Sequence, residues 1–101
     1  MGWATKYIDA LARGETVQFR PLGKSMSGLI ESGQLCTVEP IRDRRELKLK
    51  DIVLCRVKGA EYLHLVTGIE SDDRFQISNN RGYVNGWIRG MAIFGRLSRV
   101  E

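Results

Sequence analysis

Gly23-Lys24-Ser25-Met26-Ser27-Gly28-Leu29-Ile30-Glu31-Ser32-Gly33-Gln34 places one hydroxyl among tight-turn glycines, in front of a strand-like segment. A nucleophilic serine needs an exposed perch with little backbone bulk, a base within hydrogen-bond reach, and N–H groups that can hold an oxyanion. Gly23 and Gly28 supply the room, so Ser25 is the candidate nucleophile. Gly23, Lys24 and Met26 form the candidate oxyanion and substrate loop. On either side the pattern is β. Residues 15–20 alternate Val17 and Phe19 with polar neighbours and end at Pro21, and residues 34–39 form a second strand stopped by Pro40.

Ahead of this region, Trp3, Tyr7, Ile8 and Leu11 share one helical face, and Gly14 stands where a C-terminal cap belongs. A short amphipathic helix over about residues 3–13 follows; its polar face is not strongly basic, so it reads as packed on the core rather than as a membrane anchor. Downstream, residues 41–50 are charged and aperiodic and read as a surface connection. Residues 51–57 and 61–70 are strands joined by Lys58-Gly59-Ala60, and Ser71-Asp72-Asp73 turns the chain into a strand at 74–78. Residues 79–86 are a polar loop whose asparagines and glycines suit positive backbone torsions. The end, 87–100, reads as one or two strands broken near Gly90 and Gly95. The fold class is therefore mainly β, about seven short strands in a coiled, mostly antiparallel structure with one N-terminal helix.

The 101 residues suffice for one domain, 1–101, divided into a helix (1–14) and a β core (15–101). Sixteen Lys and Arg against twelve Asp and Glu leave +4, with the two signs interleaved. Arg42, Arg44, Arg45, Lys48 and Lys50 lie among Asp43, Glu46 and Asp51, which favours a solvated face over a phosphate-binding one. The longest apolar runs fall far short of the roughly 20 residues that cross a bilayer, and no signal-peptide core opens the chain, so a soluble cytoplasmic protein is expected. Cys36 and Cys55 read as buried free thiols. No metal or cofactor is called for.

His64 is the only histidine, on the strand face of Tyr62 and Val66 and opposite Leu63 and Leu65. It is the candidate base. Lys58 is the alternative, although a turn lysine stays solvated and protonated near neutral pH.

Taken together, Gly23-x-Ser25-Met26, Leu29-Ile30-x-x-Gly33-Gln34, Lys50-Asp51-Ile52-Val53-Leu54 and Leu63-His64-Leu65-Val66 resemble the peptidase core shared by signal peptidases and LexA-like self-cleaving repressors. The resemblance runs from about residue 19 to 95, with Lys50 where the family usually has glycine. It implies a coiled β fold, Ser25 as nucleophile, and His64 at the base position of the archaeal and endoplasmic-reticulum signal peptidases. Those enzymes carry a downstream Gly-Asp-x-Asn element; here Gly82-Tyr83-Val84-Asn85 stands in that place, with tyrosine for the acid. Asn80, Asn85 or a backbone carbonyl is then the expected orienting group, with Asp72 and Asp73 placed by their turn in solvent. The function implied is a serine endopeptidase acting on an extended segment of a protein partner or of itself. A non-catalytic binding protein of the same fold is the alternative, and a small basic nucleic-acid binder the third reading.

Overall fold

A computed structural model describes residues 2–71 and 73–101. The helix α1 spans Thr5–Ala12, shorter than the 3–13 expected, because Trp3 turns away to bond the sheet and Arg13 is already the cap. Gly14, at φ +85°, ends it: its N–H donates to the Leu11 carbonyl (2.9 Å) and that of Glu15 to the Ala10 carbonyl (3.0 Å), the paired bonds of a Schellman cap.

Seven strands follow: β1 (Val17–Phe19), β2 (Cys36–Pro40), β3 (Ile52–Val57), β4 (Ala60–Glu70), β5 (Arg74–Ser78), β6 (Val84–Arg89) and β7 (Ile93–Val100). They form one antiparallel sheet in the order β1-β2-β7-β3-β4-β5-β6. The expected mainly β architecture is what the chain adopts. Strand ends shift by a residue or two, with Pro40 inside β2 and Ala60 inside β4, and two larger differences stand out. β6 begins at Val84, inside the segment read as a polar loop, since its half-exposed residues carry no apolar alternation. Gly90 does break the C-terminal segment, but Gly95 does not: it lies within β7 opposite Leu54 and Pro40. A side chain there would meet Val38 Cγ1 at 2.7 Å and the Glu39 carbonyl at 2.9 Å, so glycine serves close packing rather than a turn.

Strand alternation divides the core into two layers. Leu54, Leu63 and Leu65 pack with Leu11, Phe19, Met26, Ile30 and Val38 beneath α1. On the other face, Val53, Cys55, Val57 and Val66 pack with Phe75, Ile77 and Ile93. Cys36 belongs to the first layer and Cys55 to the second, so the sheet separates two free, buried thiols, and burial pushes Cys55 up to about 12. The sheet curls so that β6 returns over this second face, Gly86 against Val57. That curl is what brings β6 to β4.

Lys50 adopts φ +78°, a left-handed torsion that favours glycine. Its N–H donates to the Val66 carbonyl while Val66 donates back to Asp51, two residues opposite one. A glycine-type backbone is here carried by a lysine. Left-handed torsion costs a side-chain-bearing residue roughly 1–2 kcal/mol, against roughly 0.5–1 kcal/mol of extra unfolded-chain freedom for glycine. Lys50→Gly should therefore stabilise the fold by about 0.5–1 kcal/mol in urea unfolding. A loss of stability would show that the lysine side chain contributes more than its backbone costs.

Candidate active site

Ser25 sits on the exposed turn between β1 and β2. Tight bonds shape this turn: Ser27 N–H to the Lys24 carbonyl, and Leu29 and Ile30 N–H to the Met26 carbonyl. Met26 and Ile30 are buried and anchor the turn in the first core layer, which leaves Ser25 on its outer side. Ser32 Oγ accepts from Gly23 N–H at 3.0 Å. Asn80 clamps the same turn from across the sheet, donating its backbone N–H to the Ser25 carbonyl (2.9 Å) and its side-chain amide to the Ser27 carbonyl (2.7 Å). Asn80 thus serves the serine turn and not the imidazole.

His64 lies on β4 opposite Val53, only 6% exposed, with Tyr62 stacked at 4.8 Å between ring centres. Its Nε2 is 3.2 Å from Ser25 Oγ, and its Nδ1 is 2.7 Å from Asn85 Oδ1. An amide oxygen only accepts, so Nδ1 carries the proton and Nε2 is left free to accept from the serine hydroxyl. Asn85 reaches the ring through an irregularity in β6: Ile77 pairs with Gly86 and Ser78 with Val84, so Asn85 is the extra residue of a β-bulge. Bulges re-aim side chains, and this one points the amide at β4.

The other sequence candidates fall elsewhere. Lys58 forms the two-residue hairpin turn with Gly59 (φ +52° and +83°) and is exposed at the far end of β4; it makes no hydrogen bond to Ser25. Tyr83 is two-thirds exposed. Asp73 accepts from Gly90 N–H at 2.8 Å, away from the imidazole, and Asp72 lies outside the described residues. Gly23 spends its N–H on Ser32, while those of Lys24, Ser25 and Met26 donate to no acceptor among the described residues.

A cleft of about 550 Å³ opens from Ser25 and His64 toward α1, with Trp3, Tyr7, Phe19 and Leu63 among its walls. One side of it is an unpaired sheet edge. β3 covers β4 along Ala60 to Leu65, but β5 joins β4 only from Leu65 onward. The two-residue turn makes Val57 and Ala60 a hydrogen-bonded pair; by alternation Glu61 and Leu63 direct their backbone groups to the open side. Trp3 Nε1 occupies the Glu61 carbonyl at 3.1 Å, and the Leu63 N–H and carbonyl have no partner among the described residues.

Glu61 was not singled out in the sequence. It is a buried carboxylate that accepts from Arg56 (2.6 Å) and from Ala4 N–H (3.1 Å), and the Arg56 guanidinium holds it below the usual carboxylate range. The cross-strand pairing of Arg56 with Glu61 was the available signal, since the hairpin register places them opposite.

Among the described residues no helix is long and apolar enough to cross a membrane, and no three His, Cys, Asp or Glu side chains gather as a metal site. Of the basic residues in the 41–50 connection, Arg44 bonds the Gly90 and Ile93 carbonyls and Arg45 bonds Asp43, structural roles for both. No family model, curated protein or solved structure matches the chain.

Burial holds the His64 imidazole below its ordinary value of 6.5, against a smaller raising effect of the Asn85 bond. Above about 6.5 the ring is neutral both folded and unfolded. As pH falls below that value the unfolded chain takes the proton first, and stability is lost until the folded ring titrates too. Melts between about pH 5 and about pH 8 should show an acid-side loss that His64→Gln removes. An identical profile in the variant would mean that the ring is not held neutral by burial.

Proposed function

We propose that the protein is a serine peptidase acting on an extended segment of a protein partner or of itself, with a Ser25–His64–Asn85 relay. The observation that carries this reading is the continuous chain of contacts from Ser25 Oγ to His64 Nε2 (3.2 Å) and from His64 Nδ1 to Asn85 Oδ1 (2.7 Å). Three residues distant in sequence converge in the order and tautomer that general-base activation requires.

Ser25 Oγ attacks the peptide carbonyl carbon as its proton passes to His64 Nε2. The oxyanion meets the unused N–H groups of Ser25 and Lys24. The imidazolium then gives its proton to the departing amine, leaving an acyl-serine. A water, deprotonated by the same nitrogen, hydrolyses that ester. Asn85 holds the ring in place throughout. A neutral amide gives orientation without the charge that would raise the imidazole pKa, so the base form dominates at neutral pH.

A fluorophosphonate probe tests the reading without knowledge of the substrate. It should phosphonylate Ser25, located by peptide mass, and labelling should collapse in His64→Ala. Labelling of Ser25 that is no faster than that of other serines, or that survives loss of His64, would leave the groove as a binding site alone.

A further inference from the structure

The proposed peptidase site says nothing of which segment it prefers, but the cleft beside it does. Among the described residues Leu63 is the one in β4 whose N–H and carbonyl both face the cleft without a partner, and it directly precedes His64. An extended segment pairing with Leu63 would place the side chain opposite it on the face Leu63 occupies. That face is the first core layer, with buried Phe19, Met26 and Ile30. The aromatic wall there is continuous: Tyr7 lies 4.6 Å and Trp3 5.4 Å from the Phe19 ring, centre to centre. A cleft of about 550 Å³ against such walls has room well beyond a methyl group.

The rim is net positive. Of its two carboxylates, Glu61 is paired with Arg56 and accepts from Ala4 N–H, while Glu31, accepting from Gly28 N–H at 2.8 Å, keeps its charge and is outnumbered by Lys6, Arg20 and Lys24. Lys6 stands over the Tyr7 ring, 5.1 Å from its centre, and Lys24 is exposed beside Ser25. Neither lysine has an ion-pair partner among the described residues.

We propose that the cleft selects an extended peptide carrying a large aromatic or branched aliphatic residue opposite Leu63, with an acidic residue near it for Lys6 and Lys24. This deepens the peptidase reading by naming its substrate class, yet binding can be measured apart from cleavage.

Full-length Ser25→Ala protein is titrated with fluorescein-labelled extended peptides in which a central Phe, Leu or Ala is flanked by Glu or by Lys. Phe and Leu peptides should bind about tenfold or more tightly than Ala peptides, the scale of filling an apolar pocket. Glu flanks should bind more tightly than Lys flanks, by a margin that shrinks with added salt. Tyr7→Ala should erase the Phe preference, and Lys6→Glu should narrow or reverse the charge preference. Equal binding across the panel, or preference for Ala or for Lys flanks, overturns the inference. Failure of Ser25 to react with the fluorophosphonate while these preferences persist would instead sink the catalytic reading and leave the specificity standing.

Discussion

Ser25→Ala is expected to lower turnover of a matched peptide about 10⁴-fold or more, because the alanine removes the atom that forms the covalent bond in the proposed mechanism. Stability should move by less than about 0.5 kcal/mol, since the side chain is exposed and its partner among the described residues is the imidazole beyond it. The competing role for a serine at the start of such a turn is capping, which would cost about 1 kcal/mol and leave activity intact. The turn's own bonds argue against that role. Its backbone is held by Met26, Ser32 and Asn80, and Ser25 Oγ contributes no bond to it. A urea melt and a cleavage assay on one preparation separate the two. Retained cleavage with lost stability would refute the nucleophile.

Much of the architecture was legible from alternation and punctuation. Val17 and Phe19, the 51–57 and 61–70 runs, Gly14 and the Lys58-Gly59 turn each report local backbone preference, which sequence carries directly. The start of β6 was hidden because Val84, Asn85 and Gly86 present no apolar face to betray a strand, whereas its end at 87–89 fell within the strand read before Gly90. The place of β7 between β2 and β3 was beyond local reading, because it depends on which distant edges meet.

The same boundary runs through the site. Ser25 could be singled out from its glycines and His64 as the lone imidazole, but the choice between Asn80 and Asn85 turned on a one-residue bulge. Ordinary register would have carried every side chain of that stretch to the opposite face. The bulge sends Asn85 to His64, and Asn80, five residues earlier, closes on the serine turn. The two asparagines therefore divide the work: Asn80 holds the Ser25 turn and Asn85 holds the His64 ring.

Asn85 is accordingly where the second large effect is expected. Asn85→Ala removes the acceptor for Nδ1–H, so the ring can rotate and the tautomer with Nε2 protonated, useless as a base, becomes accessible. Turnover should fall roughly 10²-fold, the lower end of what a positioned general base contributes. Asn85→Asp is the sharper experiment. A carboxylate keeps the acceptor but adds a negative charge beside a buried ring, which favours the imidazolium and raises its pKa from the depressed position that burial imposes. The rise of activity with pH should then move to higher pH. Turnover on the alkaline plateau should hold or increase, because the charge stabilises the imidazolium formed as serine loses its proton. With one histidine in the chain, the NMR titration of His64 can be followed beside the rate profile. Both midpoints should shift upward together. If the imidazole titration moves while the rate profile stays fixed, His64 is not the base. If neither moves, the bond between Asn85 and His64 does not hold in solution.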